Sequence, residues 1–259
     1  MKNQYKYLLL SLPFILLFGI RTIAAVNGPN PVSVTSIANE GVLITSNNTQ
    51  IIVDGLYENV YPQFDTPTSD QIDTLLNSDG DIKTNIMLIT HKHGDHFSAK
   101  LTAEFLKAGR DNIAVGPQQV IDEVTQYATE NDISFQQNQT LAINPSNDSS
   151  VISTINEVTL TTFRFDHENE QFKNIENNVY LLEVEGQRIL HIGDAKMSFE
   201  PFQTKLASQE IDLSILPFWF ISNDIGNKII NEHLNKSEIV LAHIHTKHHH
   251  RNNDEVYRH

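Results

Sequence analysis

Between Asn85 and Phe97 the chain reads NIMLITHKHGDHF. The apolar run over 85–90 predicts a buried strand, and it ends by delivering His91, His93, Asp95 and His96 within six consecutive positions. In an extended loop residues i and i+2 project to one side. His91 and His93 can therefore converge on one ion while Asp95 and His96 turn away, and the segment can serve two neighbouring metal sites. Imidazole nitrogen and carboxylate oxygen suit borderline cations such as zinc, and a catalytic site keeps one position open for water. The chain has no cysteine, so no ligand is a thiolate and no disulfide contributes to stability.

The rest of the chain supplies the frame for that loop. VSVTSIANEGVLITSNNTQIIVDG (32–55) contains three short apolar runs parted by Asn-Glu-Gly and Ser-Asn-Asn, which predicts strands joined by tight turns. Helical spacing follows the histidine cluster over 98–109, with Gly109 as a stop, and again over 117–131 behind Pro117. A strand is predicted over 156–165, then a hairpin over 178–194 turning at Glu185-Gly186. A strand over 211–218, a helix over 223–235 and a last strand over 238–243 complete the series, and the Asn/Ser-rich stretch 137–150 reads as a surface loop. The expectation is one α/β domain over residues 26–245.

The amino terminus bears on where that domain works. Lys2 and Lys6 precede an apolar run from Leu8 to Ile20, and small residues end at Ala24 and Ala25. This is the layout of a secretory signal peptide over 1–25. Thirteen apolar residues closed by Arg21 fall short of the roughly 20 needed to span a bilayer, so no stable membrane span is expected after cleavage. The location implied is secreted or periplasmic. Cleavage would remove Lys2, Lys6 and Arg21 and take the formal charge from −14 to −17. An acidic surface of that size disfavours nucleic acid and anionic lipid as partners, and leaves a small-molecule or lipid-like substrate.

The HKHGDH segment, the strands before it and the late IVLAH together resemble the metallo-β-lactamase superfamily, whose signature is H-x-H-x-D-H. The resemblance implies an αββα sandwich with a metal site at one edge between the sheets. It also implies three further ligands. His167 in RFDHENE stands where the family places a lone histidine between a strand and a hairpin, Asp194 in HIGD matches the carboxylate that bridges two ions, and His243 in IVLAH matches the last histidine. His245, two residues on, is an alternative to His243. Asp194 could instead cap a following helix. Asp54, ending IIVD, resembles an aspartate that supports the metal loop, although a turn-forming role is an equal explanation.

Departures from the pattern narrow the branch. The thiolate of cysteine-dependent β-lactamases is missing, and the cysteine-free ones generally lack the bridging aspartate. The lactonase, phosphodiesterase and related branches are nearer. The expected ligand sets are His91, His93, His167 and Asp194 for one divalent ion, and Asp95, His96, Asp194 and His243 for a second, most consistently Zn2+. Two such ions activate a water to cleave an ester, lactone, amide or phosphodiester bond, with Asp95 orienting the water and passing a proton to the leaving group. The alternatives are a non-catalytic secreted metal-binding protein and a β-lactamase-type amide hydrolase. His191 reads as a packed strand histidine, His233 as solvated on a polar helix, and His248, His249 and His250 as part of a solvated tail over 246–259. Phe218, Trp219 and Phe220 read as core, with a pocket wall as the second possibility.

Overall fold

The computed structural model of the protein describes residues 21–26, 31–47, 49–58, 61, 64–77 and 84–244. The first sheet runs in chain order through β1 (Arg21–Val26), β2 (Val32–Ile37), β3 (Gly41–Ser46), β4 (Thr49–Val53), β5 (Thr84–Leu88), β6 (Asn112–Gly116) and β7 (Thr140–Ala142). Its first four strands form an antiparallel meander, whereas β4 to β7 are parallel and need crossovers. Helices α1 (Ser69–Leu76), α2 (Ala99–Ala108) and α3 (Gln118–Glu130) supply them. The second sheet comprises β8 (Ser150–Ile155), β9 (Val158–Phe165), β10 (Asn177–Val184), β11 (Gln187–His191), β12 (Leu213–Pro217) and β13 (Glu238–Ala242), in spatial order β13-β12-β11-β10-β9-β8. Its crossovers carry α4 (Phe199–Pro201), which runs on into a turn over Phe202–Leu206, and α5 (Asp224–His233).

Both sheets are buried on two faces, so their central strands are apolar throughout rather than alternating. Ile51, Val53, Ile86 and Leu88 point between the sheets, where they meet Leu160, Tyr180, Leu182 and Ile215. Ile52, Met87 and Ile89 point the other way, onto Leu101, Phe105 and Val120 of α2 and α3. On the far side Phe163, Leu181 and Leu190 pack against Phe202, Ile229 and Ile230. Each such aliphatic or aromatic side chain contributes about 1.5–3 kcal/mol by leaving water. The result is the αββα sandwich, a single domain. None of the helices among the described residues is long and apolar enough to cross a membrane.

Several local expectations change. The stretch read as a loop over 137–150 contains β7, a three-residue edge strand whose half-buried residues give no alternation to read. The strand expected over 156–165 is β9, and it pairs with a strand that was not expected, β8, because Asn156 takes a left-handed φ of 53° and turns the chain between the two. The hairpin at Glu185-Gly186 is present with positive φ at both residues, the combination a type I′ turn requires. Residues 1–20 of the expected leader lie outside the described residues, while Arg21–Ala25 belong to β1. His245 and the tail over 246–259 also lie outside them.

Candidate metal centre

At the carboxyl ends of β4 and β5 a fixed polar cluster holds the histidine loop. Asp54, fully buried and at a positive φ of 47°, accepts hydrogen bonds from Thr90 N–H (2.8 Å) on Oδ1 and from Thr90 Oγ1 (2.5 Å) on Oδ2. The same Oδ2 lies 2.9 Å from His96 Nδ1. With its proton given to Asp54, the Thr90 hydroxyl is left to accept from His91 Nδ1, 3.0 Å away. Both imidazoles are thereby anchored through Nδ1, which leaves Nε2 of His91 and His96 facing the edge of the sandwich. The loop then closes on itself, as His96 and Phe97 N–H both donate to His93 O, and Ser98 Oγ caps α2 by accepting from Leu101 N–H.

Across the cleft the second sheet presents its own edge. His167 follows β9 and forms a bridge with Ala195, and Glu168 N–H donates to Asp194 O at 2.8 Å, so the two loops are fixed to each other. Gly193 allows the approach. Its φ is 53°, and a Cβ there would stand 2.6 Å from Thr90 Oγ1 and 2.7 Å from Asn177 Oδ1. Asn177 Oδ1 in turn accepts from Asp194 N–H at 3.2 Å. His243 ends β13 with a positive φ of 59°, a costly conformation for a non-glycine residue that the surrounding contacts must hold.

These elements bring two groups of ligand atoms together. His91, His93, His167 and Asp194 form the first, and Glu40, His96, Asp194 and His243 the second, each with one atom per residue inside 4.8 Å of the others. In the first, His93 Nδ1 lies 3.1 Å from His91 Nε2 and 3.2 Å from His167 Nε2, and Asp194 Oδ2 lies 3.9 and 3.6 Å from the same two Nε2 atoms. In the second, His96 Nε2 is 3.4 Å from Asp194 Oδ1, and His243 Nε2 is 3.6 Å from Asp194 Oδ2. His96 Nε2 and Asp194 Oδ1 are buried without a hydrogen bond. Buried polar atoms facing one another without a hydrogen bond fit a cation between them, and the donor set of imidazoles and carboxylates is one that divalent metals accept.

The electrostatics differ between the groups. Burial pushes His91 well below the ordinary histidine range, lowers His93, and brings His167 down to about 4. The three imidazoles of the first group are therefore neutral at neutral pH. In the second, burial alone would lower His96 and His243, but Asp194 and Glu40 outweigh it and hold both above the usual value. Burial lifts Glu40 to about 8, against the pull of His243 and His96. Asp194 is also penalised by burial, yet the charges of His96 and His243 keep it well below the carboxylate range.

Of the residues singled out in the sequence, His91, His93, His167 and Asp194 converge as one group, and His96 and His243 join Asp194 in the other. Asp95 is buried and stands beside the second group, with Oδ2 3.7 Å from His243 Nε2. Glu40 went unnoticed because Asn-Glu-Gly reads as a turn; its one signal was a carboxylate on a turn between two largely buried strands. His191 is a packed strand histidine, with Gly193 N–H donating to its Nδ1. His233 differs from expectation. It is half-buried, with the ring of Phe199 at the start of α4 packed 4.7 Å from its own. Phe220 is core, whereas Trp219 lies 4.8 Å from the His243 ring and so forms part of the wall. Phe64 stacks edge-on against His243 at 4.8 Å, and Phe172 against His93 at 4.5 Å and His167 at 5.2 Å.

The family model described as a β-lactamase superfamily domain matches residues 33–219, which include the β2–β3 turn, the histidine loop, His167 and Asp194. The chain belongs to the metallo-β-lactamase superfamily. His243 lies beyond the matched stretch, and its place rests on the geometry above. Solved structures share the fold. Igni18, a metallo hydrolase from Ignicoccus hospitalis, superposes with a TM-score of 0.55 at 16% identity, over 82% of each chain. The short form of human tRNase Z does so with 0.54 at 16%, over 86% of this chain and 89% of that one. A Parabacteroides distasonis protein assigned as a metal-dependent hydrolase gives 0.53 at 15%, over 83% and 94%. At such identities the likeness speaks for the fold alone. No curated protein matches the chain.

Proposed function

We propose that this superfamily member is an exported hydrolase that works with two divalent ions, zinc being the best match to the donors, on a neutral small-molecule or lipid-like substrate. The observation that carries the reading is Asp194. One of its oxygens faces His91, His167 and His243, and the other faces His96, so a single carboxylate is shared by both ligand groups. A storage site would have no use for a shared carboxylate at an open edge.

His91, His93 and His167 would hold one ion and His96 and His243 the other, with Asp194 common to both. When bound, such a pair supplies Lewis acidity towards a carbonyl or phosphoryl oxygen and lowers the pKa of a water held there. The chain's part is to orient and to move protons. Asp95 Oδ2, 3.7 Å from His243 Nε2, is the carboxylate placed to accept the proton of an attacking water and return it to the leaving group. Phe64, Phe172 and Trp219 line the histidines with apolar surface and exclude water from the reacting bond.

The same lining favours an ester, lactone or amide with an apolar portion over a phosphodiester. Lys92 and Lys196, the lysines nearest the ligands in sequence, are each engaged with an acid, Glu123 and Glu170. Export rests on the leader-like layout of residues 1–25, and cleavage after Ala25 would leave Val26 as the only residue of β1. The test is a panel of esters, lactones, amides and phosphodiesters offered to zinc-loaded protein. Turnover of an ester or lactone with an apolar chain supports the reading; normal metal binding without turnover on any class defeats it.

A further inference from the structure

Glu40 has no role in the scheme above, yet it is buried among the residues of the centre, at 2% exposure. Its Oε1 lies 3.1 Å from His243 Nδ1. That is the edge of the ring opposite Nε2, the atom that faces Asp194 and Asp95. The arrangement repeats what Asp54 does for His96, where a buried carboxylate meets Nδ1 at 2.9 Å and Nε2 is turned towards Asp194. Resting on the two-ion reading, we infer that Glu40 is a positioning residue for His243: it holds Nδ1–H so that the Nε2 lone pair is presented to the second ion.

The backbone around Glu40 is built for this. His243 N–H donates to Asn39 O at 3.0 Å, so the β2–β3 turn grips the histidine through its main chain as well as its ring. That grip accounts for the positive φ of His243, which nothing in its own sequence favours. Asn39 Nδ2 donates to Glu40 Oε1 at 2.7 Å and fixes the carboxylate, while Asn39 N–H donates to Tyr57 Oη at 3.1 Å and Tyr57 Oη donates to Asp65 O at 2.9 Å. Gly41 closes against the end of β4, where a Cβ would stand 2.6 Å from Gly55 Cα. The turn is therefore rigid on three sides.

Glu40 also faces the second group, and the ring edge that its nearer oxygen meets is what separates holding from ligation. Its Oε2 is 4.0 Å from His96 Nε2, whereas Asp194 Oδ1 is 3.4 Å from the same atom. Its nearer oxygen lies on the Nδ1 edge of His243, which an ion bound to Nε2 does not share. His243 Nδ1 makes no hydrogen bond in the present ring orientation, and at 3.1 Å from Oε1 it stands within reach of one.

The experiment measures Zn2+ affinities of the full chain by chelator competition, with Co2+ absorption as a report on coordination, in wild type, Glu40→Gln and Glu40→Leu. Gln keeps an oxygen that accepts from Nδ1–H, so it should retain both ions within about threefold and leave the Co2+ bands in place. Leu should weaken the second ion by roughly 10–100-fold and leave the first unchanged. If the Leu variant does not fold, Glu40→Asp replaces it. Shortening the chain withdraws the oxygen from Nδ1, and the second ion should weaken in the same way. A Gln variant that loses the second ion outright, with shifted Co2+ bands, would make Glu40 a ligand and overturn the inference. So would a Leu or Asp variant with both affinities intact. Wild-type protein that takes up one ion only overturns the two-ion reading itself, and this inference with it.

Discussion

Replacing Asp54 by Asn tests whether the histidine loop is held as described. Asp54 Oδ1 accepts from Thr90 N–H, and Oδ2 accepts from Thr90 Oγ1 and faces His96 Nδ1. Asn can keep its oxygen towards Thr90 N–H only by placing its NH2 where Oδ2 was. The NH2 then donates to Thr90 Oγ1 and to His96 Nδ1, which must become an acceptor. The neutral imidazole is driven to the tautomer with its proton on Nε2, the atom that faces Asp194. Rotating the amide the other way sets two N–H donors against each other at Thr90. Either way a charge-assisted bond to a buried imidazole is lost, worth about 1.5–3 kcal/mol. In a domain of this size that corresponds to a fall of roughly 5–10 °C in the melting temperature of the metal-free protein. The second ion should bind about 10–100-fold more weakly, and the first should weaken as well, since Thr90 Oγ1, once it accepts from the new amide, turns its proton towards His91 Nδ1. Differential scanning fluorimetry of the metal-free variant and a chelator-competition titration measure the two effects. An unchanged melting temperature with unchanged affinity at both sites would refute the reasoning.

Other outcomes follow from the same geometry. Gly193→Ala should destabilise the fold by about 2–4 kcal/mol and displace Asp194, because the added methyl meets Thr90 and Asn177 at a left-handed φ; thermal melts and metal content check it. A cation takes neutral imidazole and carboxylate, so a site whose groups hold protons at higher pH binds more weakly until pH exceeds those values. His91, His93 and His167 are lowered, so the first ion should bind with little change between about pH 7 and pH 9. His96 and His243 are raised and Glu40 stands at about 8, so the second ion should weaken as pH falls through that region and release protons on binding; calorimetry in buffers of different ionisation enthalpy reads the protons directly. Phe172→Ala, which removes the ring over His93 and His167, should raise KM for an apolar ester more than it lowers kcat.

The parts of the fold that were legible in the sequence are those where local chemistry and tertiary environment agree. The apolar run into His91 had to be a buried strand, Glu185-Gly186 had to turn, and α2, α3 and α5 had spacing and stops that match their packed faces. The helix α1 and the edge strands β7 and β8 were missed or misdrawn. Edge strands bury little, so their residues carry no strong pattern, and β7 is held by pairing with β6 rather than by its own composition. At the site, ligands contiguous in sequence were visible, and the resemblance supplied His167, Asp194 and His243. Glu40 was not visible, because its function depends on a contact between the β2–β3 turn and the end of β13 some two hundred residues later, and a turn glutamate looks the same whether or not a histidine arrives beside it.

The central claim is that one carboxylate serves two ions, and metal stoichiometry tests it most directly. Wild-type protein saturated with zinc, freed of excess metal and analysed by mass spectrometry should hold two ions per chain. Asp194→Asn keeps the shape but removes the charge shared between the groups, so it should hold one ion or none, with activity lower by orders of magnitude. If Asp194 merely capped a helix, Asn would serve as well, and equal zinc content and equal turnover in the two proteins would contradict the account.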